Sequence, residues 1–210
     1  MALFNKYMIL YKSKEIKKGN VLKVKDIQNK SLELSLLLSI PAAAGLVIAS
    51  YDIVNALFGY GSFEKGDVLK TSEALKYFGY GIPAFALVKI LSNLFFARGN
   101  TKTPFYISTI IVFLNVSVSL AFFNEIGFLI IPIATTLSTW IGTLIYFGIL
   151  VKKKFYETRG NSKTNIFKII LSTTIMSIFL LIALNYFSSN LDYSNTYKIF
   201  YLIIFYPLQF

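Results

Sequence analysis

The sequence predicts an all-α integral membrane protein of about six transmembrane helices, and three observations carry that prediction. Of its 210 residues, 55% are hydrophobic, and the mean hydropathy is +0.61, more apolar than a water-soluble domain of this size. The apolar residues gather into runs of about 20, the length that spans a hydrocarbon core of about 30 Å at 1.5 Å per helical residue. The basic residues fall between those runs and alternate in density from one connection to the next.

Residues 1–30 carry eight lysines against only Glu15 and Asp26 and read as a basic lead-in. Their apolar patch, 7–11, is too short to span, and no signal-peptide core follows it. The first span is 34–58, with Pro41 and Gly45 expected to bend it. A loop of mixed charge, 59–73, leads to a second span, 76–97, interrupted by Gly79, Gly81 and Pro83. The polar turn 98–103 follows. Pro104 then opens a third span, 104–123, because a missing N–H costs nothing at a first helical position. Asn124 and Glu125 form a minimal turn, and a fourth span, 126–151, stops at Lys152, Lys153 and Lys154. A basic stretch reaches Lys168, a fifth span covers 169–187, and a short loop, 188–196, precedes a last run, 197–210, that is short for a crossing. Beyond the lead-in, residues 31–210 thus form one helical membrane unit with no soluble domain.

Charge gives the orientation. Residues 1–30, 98–103 and 152–168 hold 16 of the 21 lysines and arginines, whereas the connections on the other side hold only Lys65 and Lys70. The positive-inside rule places the N-terminus and the 98–103 turn in the cytoplasm. Arg98, Lys102, Lys152, Lys153 and Lys154 then read as topology anchors within reach of anionic lipid headgroups.

The absence of Cys and His from the sequence removes disulfides, thiolate metal sites and the commonest metal ligand and general base. No metal and no cofactor are expected. A net charge of +11 invites a nucleic-acid partner, but the basic residues sit in membrane connections and no nucleic-acid motif surrounds them, so none is expected. Two Phe-Gly-Tyr-Gly copies, at 58–61 and 78–81, are neither a repeat nor a phosphate loop, since no G-x-x-x-x-G-K-[ST] exists. The run Thr135, Thr136, Ser138 and Thr139 suits close helix packing. Trp140 lies mid-span, outside any interfacial belt. A membrane enzyme needs an intramembrane carboxylate pair or a histidine, so no enzyme is expected.

Polar residues inside the spans are the candidates for function, because an intramembrane polar group is costly unless it is used or paired. Lys89 stands about 13 Å from the inner end of its helix, and a lysine at the membrane centre costs about 2.5–3.5 kcal/mol. It must face a bundle interior or a wet cavity, or else snorkel and pair. Asn93, one turn on, shares its face and suits an interhelical hydrogen bond. Asp52 lies about 9 Å from the outer end of the first span, at a cavity mouth or a solvated kink. Lys30 and Glu33, three residues apart at the inner edge, form a helix-start acid with a neighbouring cation, or part of the path. Asn115 divides between the same structural and functional roles.

Four strings, in order, carry a family resemblance: Leu-Leu-Leu-Ser-Ile-Pro-Ala-Ala-Ala-Gly-Leu (36–46), Leu-Phe-Gly-Tyr-Gly-Ser-Phe (57–63), Tyr-Phe-Gly-Tyr-Gly-Ile-Pro-Ala-Phe (77–85) and Lys-Ile-Leu-Ser-Asn-Leu-Phe-Phe-Ala-Arg-Gly-Asn-Thr-Lys-Thr-Pro (89–104). Together the order and spacing resemble the MurJ/MviN lipid II flippases, and residues 14–125 carry most of the likeness. The resemblance implies a bilobed exporter fold of the multidrug/oligosaccharidyl-lipid/polysaccharide (MOP/MATE-like) type with 14 helices, in which these spans are the ninth to fourteenth and form the C-terminal lobe. It implies a lipid-linked peptidoglycan precursor as substrate, membrane lipids and the missing N-terminal lobe as partners, and the bacterial inner membrane as location. The family's substrate-binding arginines lie on helices outside this chain, so the resemblance implies a C-terminal piece, started at an internal or displaced position and inactive alone. It assigns Lys89 to attracting the pyrophosphate or peptide carboxylates, and the spans at 169–187 and 197–210 to a groove for the undecaprenyl tail. The alternatives are a non-transporting membrane fragment or subunit, or a related drug or polysaccharide exporter.

Overall fold

Hydropathy says where a chain can cross a membrane, but end-capping says where its helices begin. The computed structural model describes residues 21–153 and 160–186. The first part of the lead-in, Lys154, the loop 188–196 and the last predicted span lie outside the described residues. Among the described residues the secondary structure is helical: α1 (Val21–Ile48), α2 (Ser50–Phe58), α3 (Lys65–Phe96), α4 (Lys102–Ile126), a short 3-10 turn (Gly127–Leu129), α5 (Ile130–Lys152) and α6 (Gly160–Tyr186). Four stretches are long and apolar enough to cross a membrane, and one of them, Lys102–Lys152, holds both α4 and α5. The chain is a multi-pass membrane protein.

Several boundaries depart from the sequence expectation for local reasons. Helix α1 already includes part of the basic lead-in, where Val24, Gln28 and Asn29 are buried. The first span is interrupted at Ala49, not at Pro41 or Gly45. Ala49 leaves helical geometry at φ −94°, ψ 14°, and the Ser50 hydroxyl donates to the Val47 carbonyl at 3.3 Å, competing with the helical ladder. Helix α3 begins at Lys65, inside the expected loop. There the Asp67 carboxylate accepts the Glu64 N–H at 3.1 Å, and Val68 is fully buried. The reversal expected at Asn124 and Glu125 falls instead at Gly127, whose φ of +71° only glycine adopts at little cost.

The 98–103 turn is built from both sides. The Asn100 N–H donates to the Phe95 carbonyl and the Gly99 N–H to the Phe96 carbonyl, both at 3.0 Å, with Gly99 at φ +71°. This is a Schellman ending for α3. The Asn100 side chain then starts α4 by accepting the Thr103 N–H at 3.1 Å and donating to the Thr103 hydroxyl at 2.9 Å. Helix α4 therefore begins at Lys102, two residues before Pro104. The proline occupies a first-turn position where its missing N–H is still harmless.

The helices pack in a row, α4 on α5, α5 on α3, α3 on α1 and α1 on α6, with α2 against α3. The bonds give the directions. Asn115 to Thr135 and Tyr146 to Pro104 share one position sum, so α4 and α5 form an antiparallel hairpin. Thr136, Trp140 and Thr143 bond residues 59 or 60 positions earlier, so α5 runs parallel to α3. Close approach depends on glycine: a Cβ at Gly79 would come within 2.7 Å of Val47, one at Gly81 within 2.8 Å of Thr136, and one at Gly142 within 2.2 Å of Ile111. In lipid, where apolar burial drives little, such small residues allow the contact that holds helices together. The core, Leu32, Leu91, Leu94, Phe95, Ile107, Tyr146 and Leu150, lies toward the 98–103 turn.

Candidate functional site

A row of helices leaves faces uncovered, and the candidate site lies on them. On α3, Phe78, Phe85, Lys89 and Phe96 are all exposed. Their spacing of seven, four and seven places them on one stripe of the helix. Lys89 is thus the cation of an otherwise aromatic surface, set well inside a spanning helix. Asn93 does not share this environment. It is 9% exposed, turned into the packing, because each step of four residues advances about 40° and the second such step after Phe85 carries the side chain off the stripe.

The opposite side of α3 is held by α5. Thr136 donates to the Tyr77 carbonyl at 2.8 Å, the Trp140 indole N–H to the Tyr80 carbonyl at 3.1 Å, and the Thr143 hydroxyl to the Ala84 carbonyl at 3.3 Å. The mid-span tryptophan, unexplained by sequence, therefore has a main-chain partner. Asn115 likewise resolves as an interhelical bond, donating to the Thr135 hydroxyl at 2.8 Å.

At the start of α6 the structure corrects the expected pairing of Lys30 with Glu33. Lys30 pairs backward with Asp26 at 3.1 Å. Glu33 instead accepts from Ser162 at 2.5 Å and from Asn165 at 2.9 Å, one bond on each carboxylate oxygen. A carboxylate here is stabilised by two donors of another helix, the buried Ser162 and the half-buried Asn165, more than by a solvated cation. Lys30, Glu33, Leu34 and Leu37 from α1 and Asn165, Lys168 and Ile169 from α6 line a groove of about 350 Å³. Asn165 and Lys168 escaped the sequence reading, which treated the stretch as a basic connection.

The predicted anchors divide. The Arg98 guanidinium is part-buried and donates to the Leu94 carbonyl at 2.9 Å, so it caps α3 as well as carrying charge. Burial pulls its pKa below the ordinary value, yet a guanidinium stays charged in proteins. Lys102, Lys152 and Lys153 are exposed. Lys102 borders a cleft of about 530 Å³ with Phe96, Pro104, Phe105 and Tyr106, an aromatic and cationic mixture suited to a membrane–water boundary. Asp52 is partly buried on α2, far from this turn in sequence. Lys89, Asp52 and the Lys30–Glu33 groove occupy separate helices, with no contact among them in the described residues.

Comparison with known proteins gives this arrangement a relative. The sequence model described as "Lipid II flippase MurJ" matches residues 11–202. A probable lipid II flippase MurJ of Rickettsia prowazekii is 30% identical over 184 residues, which cover 88% of this chain and 36% of that protein. One of Rhizobium meliloti is 32% identical over 174 residues, 83% of this chain and 32% of that protein. A solved structure described as lipid II flippase MurJ in an inward closed conformation superimposes with a TM-score of 0.74 at 24% identity, covering 98% of this chain and 40% of that one. That likeness shows a shared helical fold, and the chain spans about a third of the length of the curated relatives it matches.

Proposed function

The chain belongs to the MurJ lipid II flippase family, and from that premise we propose that it forms one lobe, the C-terminal one, of a transporter that carries undecaprenyl-linked peptidoglycan precursor outward across the bacterial inner membrane. The match over residues 11–202 carries this reading. The open row supports it: a lobe that rocks against a second one needs an uncovered face, and α3 offers such a face with Lys89 at mid-depth. A buried or cavity-facing ammonium attracts pyrophosphate or carboxylate, whereas in lipid it would cost about 2.5–3.5 kcal/mol. The 98–103 turn and the N-terminus lie in the cytoplasm, where Arg98, Lys102, Lys152 and Lys153 meet anionic headgroups.

Flipping of labelled lipid II in vesicles tests the reading. The chain alone is expected to be silent, and the chain joined with the remaining lobe of a relative active. Activity of the chain alone would overturn the two-lobe reading, and silence of the joined protein would overturn the flippase reading. Within the complete transporter, Lys89→Ala should lower transport at unchanged membrane abundance; loss of both together would make Lys89 structural. Orientation can be read cleanly because the sequence holds no cysteine: a single Cys at Lys102 should label only from the cytoplasmic side, and one at Lys65 only from the outer side.

A further inference from the structure

Helix α3 has a weak turn, and α5 grips it there. Pro83 has no N–H, so the Gly79 carbonyl lacks its helical donor. Gly79 and Gly81 in the same stretch add no side-chain stiffness. Sharp changes of direction in helices concentrate at such places. The three donors of α5 reach carbonyls that bracket this turn on both sides, at Tyr77, Tyr80 and Ala84. Contact is tight as well as polar, since a Cβ at Gly81 would meet the Thr136 hydroxyl at 2.8 Å.

The lever arm gives the grip a consequence. Lys89 lies six residues beyond Pro83, about 9 Å along the axis, so a 20° change of bend swings it by about 3 Å. That is the length of a hydrogen bond, enough to move an ammonium into or out of reach of a substrate oxygen. We propose that Trp140, with Thr136 and Thr143, is a clamp that fixes the geometry of the weak turn of α3 at Pro83 and thereby sets the position of Lys89 on the open face. Trp140 is then a positioning residue for transport. This rests on the reading that Lys89 meets the substrate. Trp140 is the informative member because it is 38% exposed, against 8% for Thr136 and 6% for Thr143. Replacing it removes a directional bond while disturbing little core packing.

The test is a double-mutant cycle in the complete transporter, reading lipid II flipping in vesicles beside membrane abundance and thermal midpoint. Trp140→Phe and Thr136→Val should each lower flipping severalfold with abundance unchanged. Combined with Lys89→Gln, neither should add a further loss, because residues acting through one another are not additive. Losses that multiply would overturn the clamp, as would a flipping loss in both clamp variants that merely follows a fall in abundance. Full activity of Trp140→Phe would also overturn it and leave the Lys89 reading standing. Full activity of Lys89→Gln alone would remove that reading, and the clamp's stated purpose with it.

Discussion

Helix α3 meets α1 at Gly79 through side-chain methyl groups and α5 through two hydroxyls and an indole N–H, and the two sides hold it differently. Against α1, Gly79 faces Val47 and Leu46, so the fit is one of shape. Against α5, Thr136, Trp140 and Thr143 reach main-chain carbonyls on successive turns. Ridges packed into grooves allow a helix to settle at more than one register, whereas a bond to one carbonyl is directional and allows only one. Shape therefore sets how near α3 lies to its neighbours, and hydrogen bonds set how far along them it stands. Under the proposed function, in which a lobe moves as a body and holds one cation at a defined depth, the second kind of contact is the more demanding.

The sharpest way to break that contrast is to crowd both sides. Gly81→Val forces a methyl onto a hydroxyl that is itself bonded to the Tyr77 carbonyl, so it strains packing and removes a bond together. We expect a cost of about 3 kcal/mol, the upper range for overpacking. Gly79→Val meets the Val47 and Leu46 side chains, with the Val47 main-chain nitrogen in ordinary contact at 3.6 Å, and these contacts include no hydrogen-bonded hydroxyl. Its cost should be nearer 1 kcal/mol. Reversible unfolding of the two variants in bicelles or detergent ranks them, and equal costs would mean that the hydrogen bonds add nothing to the grip.

A second comparison sets this mid-membrane grip against the contact at the start of α6. Glu33→Ala leaves Ser162, which is 3% exposed, and Asn165 without their acceptor. A stranded buried donor costs about 1–3 kcal/mol. Protection of α6 amides from hydrogen exchange should fall accordingly, and protection of α5 should not. Loss in both helices would show that the row unfolds as one unit.

Much of this was legible in the sequence, and the omissions share a cause. The crossings and the polar turn at 98–103 follow from hydropathy and charge, which are properties of single stretches. The helix start at Lys65 and the helical part of the lead-in were missed because a cap at one and buried residues in the other, not apolarity, extend those helices. Asn124 and Glu125 look like turn residues, but the positive φ belongs to Gly127. The site was harder to read. Lys89 announces itself as a charge in an apolar run, whereas Trp140 bonds a carbonyl, a group every residue possesses and no sequence marks. Glu33 was assigned to Lys30 by proximity along the chain, and its true partners lie about 130 positions away.

The smallest predicted effect separates the members of the α5 grip. Thr143 differs from Thr136 in having a second acceptor: its hydroxyl lies 2.9 Å from the Thr139 carbonyl of its own helix and 3.3 Å from Ala84. The shorter bond is local, so the interhelical one contributes less. Removing the hydroxyl strands neither carbonyl, because each remains within its own helical ladder. Valine keeps the branched shape that fills the site. Thr143→Val should therefore cost no more than about 0.6 kcal/mol, the average for interhelical hydrogen bonds in membranes, while Thr136→Val should approach the maximum of about 1.7 kcal/mol. Steric-trap or denaturant unfolding resolves a difference of that size. If Thr143→Val proved the costlier, the grip would be centred at Ala84, on the inner side of Pro83, and the weak turn would be held from the arm that carries Lys89.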